Sequence, residues 1–135
     1  MTAGPGVNTL AYYYEQISST APVYFLWDGA RNNFVVRSTG VRYTVPNSGK
    51  MTTAGDDLFV LEGFVDGQGR HVYIVYGFSW QGTLAAATFL NTYVRFHLSD
   101  FTNSWYIYEW KDASTGPSAN SFPDSGDQYN PLATG

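Results

Sequence analysis

Leu58-Phe59-Val60-Leu61-Glu62-Gly63-Phe64-Val65 is followed by Asp66-Gly67-Gln68-Gly69 and then by Arg70-His71-Val72-Tyr73-Ile74-Val75-Tyr76-Gly77-Phe78. Two runs rich in β-branched and aromatic residues, joined by four turn residues, specify an antiparallel hairpin. In the second run Val72, Ile74, Tyr76 and Phe78 share one face, and Tyr73 and Val75 share the other. Both faces are apolar, which predicts a central strand covered on both sides.

Downstream of the hairpin, Gly82-Thr83-Leu84-Ala85-Ala86-Ala87-Thr88-Phe89-Leu90-Asn91 holds the chain's one alanine run. It is the helix candidate, with Thr83 as its expected cap and a small-residue flank for close approach to a sheet. Tyr93–Leu98 alternates, with Val94, Phe96 and Leu98 inward, and Trp105–Trp110 alternates likewise. Both read as strands. Upstream, the Tyr-rich run Leu10–Ile17, then Val23–Trp27, Phe34–Arg37 and Val41–Val45 read as short strands. They are closed by Ser18-Ser19-Thr20, Asp28-Gly29, Ser38-Thr39-Gly40 and Pro46-Asn47-Ser48-Gly49. The expected fold is a β-rich α+β domain. It is mainly an antiparallel sandwich or partly closed barrel of seven or eight strands, with one short helix near 82–91. Residues 10–111 form the domain. An N-terminal arm (1–9) and a C-terminal arm (112–135) rich in Gly, Pro, Ser and Asp flank it.

The chain's 135 residues include 24 aromatics (11 Tyr, 9 Phe, 4 Trp), only 18 charged residues and no cysteine. Without cysteine there are no disulfides, zinc-thiolate sites, iron–sulfur clusters or thiol nucleophiles. A net charge of −4 with seven basic residues argues against a nucleic-acid partner. No run of 18 apolar residues spans a membrane. Met1–Gly6 lacks the form of an export signal, and no Asn-x-Ser/Thr triplet occurs.

Three chemistries compete with plainer readings of the same residues. Gly77-Phe78-Ser79-Trp80-Gln81-Gly82 lies at a strand-to-helix junction, as a nucleophile elbow does. However, Gln81 stands where the second glycine belongs, and the only bases are His71 and His97. A plain turn with a solvated hydroxyl is the default there. Asp112, Asp124 and Asp127 sit in a pliable Gly/Ser/Asn-rich tail and are the candidate calcium ligands, without EF-hand register; a solvated tail is the competing reading. Glu15, Glu62 and Glu109 each fall in a strand pattern and nominate no glycosidase pair. The aromatics remain. Twenty-four rings exceed what one small core holds, which assigns some to contacts. Tyr12, Tyr13, Tyr14, Trp105, Tyr106, Tyr108 and Trp110 are the candidate interface or ligand-stacking residues.

Leu61–Asp66, Gly69–Phe78, Trp80–Thr83 with Ala85-Ala86, and Glu109-Trp110-Lys111-Asp112 resemble a region of archaeal cell-surface proteins of the surface-layer or filament kind. The resemblance covers residues 58 to about 112, under half of the chain. It implies a non-enzymatic envelope or filament role in a thermophilic archaeon, or a virion role in one of its viruses. The expected function is a structural protein whose copies assemble at a cell surface, outside the cell or in a virion. Assembly would use the aromatic patches and arms that lie across or add a strand to a neighbour. Low charge favours dense packing of copies. The alternative is a carbohydrate-binding module with Trp105–Trp110 as its exposed aromatic row.

Overall fold

A computed structural model describes residues 8–45, 56–113, 116, 120 and 122–135. Most of the N-terminal arm and the Pro46–Gly49 turn lie outside these residues. The described chain forms seven strands in two antiparallel sheets and is not a closed barrel. The smaller sheet has the order β1 (Val23–Trp27), β2 (Asn32–Val36), β3 (Arg42–Tyr43). The larger has the order β5-β4-β6-β7, with β4 at Asp56–Val65, β5 at His71–Gly77, β6 at Trp105–Lys111 and β7 at Gln128–Thr134.

The expected hairpin is β4–β5, in antiparallel register from Phe59↔Gly77 to Val65↔His71. Its turn is closed by Asp66, whose Oδ1 accepts from the amides of Gln68 and Arg70 at 2.9 Å each. Gly69 takes a left-handed φ of +78° there, a conformation that side chains resist. The central strand is β4, not β5. Ten residues long, β4 pairs with β5 on one side and β6 on the other, whereas among the described elements β5 pairs with β4 alone. The apolar second face of β5 is accordingly exposed at Tyr73.

β4 divides the core in two. Leu58 and Val60 pack with Ile74, Tyr76 and Ile107 against Val23, Phe34 and Val36 of the smaller sheet. Phe59 and Leu61 turn the other way, onto the helix α2 (Trp80–Thr92), where Ala85, Ala86 and Phe89 meet Trp110. The helix is the expected one, but its cap is Ser79: that side chain accepts from the amide of Gly82 at 3.3 Å. The Thr83 hydroxyl instead accepts from Gly77 N at 3.1 Å and donates to the Ser79 carbonyl at 3.0 Å, tying the helix to β5. Ala85 and Ala86 are fully buried, and their small size lets α2 lie close on the sheet.

Three runs depart from the expected strands. Leu10–Ile17 is helical: a single α-turn, α1 (Thr9–Tyr12), widens into a π-helical segment, Tyr13–Ile17. Asn8 caps it by accepting from Leu10 N and Ala11 N. The buried residues Ala11, Tyr14 and Glu15 follow helical spacing, so that period overrides the strand preference of three tyrosines. Tyr93–Leu98 continues from α2 as 3-10 turns, Val94–Phe96 and Leu98–Asp100. Only Val94 of its expected inward residues is buried, because each turn of a helix rotates the side chain away from a two-residue period. Finally, part of the C-terminal arm is a strand. β7 pairs with β6 of its own chain, with a register break beside Pro131, a residue without an amide to donate. No helix among the described residues is long and apolar enough to cross a membrane.

Candidate functional site

All three glutamates of the chain are buried. Glu15, from the π-helical segment, and Glu62, from β4, lie between the two sheets. Glu15 Oε1 accepts from the Tyr76 hydroxyl at 2.7 Å, and its Oε2 from Phe25 N at 2.8 Å. Glu62 Oε2 accepts from Val23 N at 2.8 Å, while its Oε1 is buried with no hydrogen-bond partner among the described residues. Burial pushes the Glu15 carboxyl up to about 7. Burial likewise raises Glu62, with the nearby Glu15 charge adding to the rise. Tyr76 is raised by the same burial and by Glu15 beside it. The sequence pattern puts both glutamates on strands and does not bring them together. A trace existed in Glu62, whose same-face neighbours Val60 and Phe64 are apolar and place its carboxyl in the core.

A second polar cluster anchors α2. Asp57, at the start of β4, is buried, and its Oδ2 accepts from Ser79 N at 2.9 Å, from the Ser79 hydroxyl and from Gly82 N at 3.1 Å. A Cβ on Gly82 would overlap this carboxylate, and one on Gly77 would overlap the Gly82 backbone. The glycines of the elbow-like stretch are therefore needed for packing. The Ser79 hydroxyl bonds to a carboxylate and to the Gln81 side chain; neither described histidine is hydrogen-bonded to it. At the hairpin turn, Asp66 accepts from Arg70 Nε at 2.7 Å and from the Tyr14 hydroxyl at 3.0 Å. The Arg70 amide and side chain hold its carboxyl well below the usual range.

The candidate contact aromatics are dispersed over the molecule. Tyr12 and Tyr13 are exposed, whereas Tyr14 is buried on Asp66. Trp105–Trp110 is a strand, as expected, but is no exposed row. Trp110 is fully buried and donates Nε1 to Asp127 at 2.8 Å, and Tyr108 stacks on Phe59 at 5.5 Å. Trp105 and Tyr106 are half-buried. The covering elements are α2 and β7, neither of which the row itself reveals. Between them lies a cleft of about 450 Å³ lined by Phe89, Tyr93, Tyr108, Tyr129 and Pro131, with no charged side chain in its wall among the described residues.

Of the candidate calcium ligands, Asp127 accepts from Trp110 Nε1, from Ala113 N at 3.0 Å and from Asp124 N at 2.9 Å. Asp124 Oδ1 accepts from Gly126 N at 2.7 Å. These bonds fold the tail onto β6 and lead into β7. Asp112 is half-buried nearby. Among the described residues no group of three His, Asp or Glu side chains is placed to hold a metal ion. Comparison with family models, with curated proteins and with solved structures gives no match for this chain.

Proposed function

We propose that the protein is a non-catalytic structural protein that assembles with copies of itself through apolar surface. The observation carrying this reading is that two unlike apolar patches lie on opposite layers of the fold. On the inter-sheet side, the N-terminal helical segment turns Leu10, Tyr13 and Ile17 outward at i, i+3 and i+7, with Leu10 70% and Ile17 65% exposed. On the α2 side, Tyr73 and Leu98 border an apolar groove of about 260 Å³ floored by Leu61, Gly63 and Val75. Apolar clusters on a protein surface mark contact sites. Two non-identical patches on one protomer favour head-to-tail contact, which propagates instead of closing into a dimer.

Size-exclusion chromatography with light scattering, followed by negative-stain microscopy, tests the reading. Regular assemblies are expected from the purified protein, and Leu10→Asp combined with Ile17→Asp is expected to disperse them into folded monomers. A wild-type chain that stays monomeric across a hundredfold concentration range overturns it.

The cleft favours a second reading. Its uncharged, ring-lined wall matches the chemistry of a neutral saccharide, whose apolar faces stack on aromatics and whose hydroxyls bond to tyrosines. A monomer whose Tyr108 and Tyr129 resonances shift with a neutral oligosaccharide, and stop shifting in Tyr108→Ala, would replace assembly with ligand binding.

A further inference from the structure

β1 is an edge strand, paired with β2 on one side only among the described elements. Its pairing partners leave alternate backbone groups pointing away from β2, and an unpaired edge of this kind must be satisfied or kept wet. Here side chains stand where a neighbouring strand would. Val23 N is taken by Glu62, Phe25 N by Glu15, and the Phe25 carbonyl by Gln16 Nε2 at 2.9 Å. Two of those three side chains come from adjacent residues of the N-terminal helical segment. That segment is therefore held to β1 by the Glu15 carboxyl and the Gln16 amide as well as by packing.

The contacts carry an electrostatic difficulty. The groups facing the pair are Tyr76 from β5 and Arg37 from the end of β2; the two carboxyls also face each other. Arg37 uses its guanidinium on backbone carbonyls, Nε to Ala21 O at 2.9 Å and Nη2 to Glu15 O at 2.7 Å. No ion pair joins it to either carboxylate among the described residues. Full ionisation would thus place two negative charges in a hydrocarbon layer against one indirect cation. One oxygen, Glu62 Oε1, would have no donor among the described residues.

We propose that Glu15 and Glu62 form a proton-operated latch on the edge of β1, whose hold on the helical segment Thr9–Ile17 weakens as the pair loses its protons. The closed form retains protons that the open, solvated form gives up, so rising pH favours opening. Glu15 alone, held near 7 when closed and at the ordinary glutamate value when open, makes opening about tenfold easier at pH 8 than at pH 6. Release takes the Glu15 acceptor from the Phe25 amide while leaving the β4–β5–β6 ladders, and Glu62 on β4, in place. The latch does not depend on assembly and holds for a monomer.

Amide hydrogen exchange followed by NMR on the full chain reads this directly. After correction for intrinsic rates, protection of Phe25 is expected to fall about tenfold from pH 6 to pH 8, with the amides of β4 unchanged. Glu15→Gln keeps the accepting oxygen and removes the charge, so its protection at the Phe25 amide should lose most of that pH dependence. Unchanged wild-type protection, or a fall that persists fully in Glu15→Gln, overturns the latch. If the variant does not fold, carbon-13 shifts of the wild-type glutamate carboxyls decide. A midpoint above pH 6 for Glu15 or Glu62 supports the latch, and both midpoints below pH 6 sink it.

Discussion

The two faces of the four-stranded sheet are covered in different ways, and their chemistry differs for that reason. On one face lies α2, whose backbone bonds are made within the helix, so the layer beneath can be hydrocarbon and rings. Phe59, Phe89, Tyr108 and Trp110 fill it. The one buried carboxylate on that side, Asp57, sits at the helix N-terminus, where free amides need an acceptor. On the other face lies a second sheet, which brings with it the unpaired edge of β1. Acceptors must be supplied inside the core, and Glu15 and Glu62 supply them. A helix cover leaves its polar demand at its ends, whereas a sheet cover carries it along an edge into the interior.

Removing a ring from the helix side should have the largest effect. Phe59→Ala is expected to lower stability by about 3–5 kcal/mol in urea unfolding, since the side chain is fully buried among the rings of Phe89, Tyr108 and Tyr129. An effect under 1 kcal/mol would mean that this layer is loosely packed. Next comes the inter-sheet carboxyl. Glu15 is raised in the folded chain, so its protonation stabilises the fold fully below its unfolded value near 4.5, and that stability is lost as pH rises through about 7. The loss approaches about 3 kcal/mol, from roughly 1.4 kcal/mol per pH unit, and Glu15→Gln should flatten the curve. If wild-type stability instead rises from pH 5 to pH 8, the two faces do not differ as described.

A glycine test then compares the helix end with the hairpin turn. Gly82→Ala places a Cβ against the Asp57 carboxylate and should lower stability by about 1–3 kcal/mol; Gly67→Ala, in open space at the hairpin turn, should change little. Ser79→Ala is the mildest of the destabilising changes. Gly82 N keeps Asp57 as acceptor, so the loss should stay near 1 kcal/mol in thermal melts. A larger drop would show that the hydroxyl, more than the carboxylate, holds the helix end.

Local grammar carried much of the fold. The hairpin was readable because turn residues and flanking β-formers sit close together in the chain, and the alanine run marked α2 by the same short-range logic. Where tertiary context decides, reading failed. The Tyr12–Tyr14 stretch has strand-forming residues but is helical, because its buried positions recur at helical spacing against a sheet built elsewhere. Phe96 and Leu98 alternate by coincidence and are exposed. For the candidate contacts, composition pointed to surface rings, yet Trp110 is in the core: the tail that covers it, through Asp127 and β7, looked structureless in sequence.

What belongs to the chain's own chemistry is a cysteine-free, aromatic-rich, weakly charged β domain with one central hairpin and one helix. These follow from side-chain types and from neighbours a few residues apart. The middle position of β4, the C-terminal strand on β6 and the burial of all three glutamates were decided in three dimensions. Each depends on which distant segment lies alongside. A carboxyl's partners, such as Val23 N for Glu62 or Tyr76 for Glu15, lie 39 and 61 residues away, beyond the reach of any local pattern.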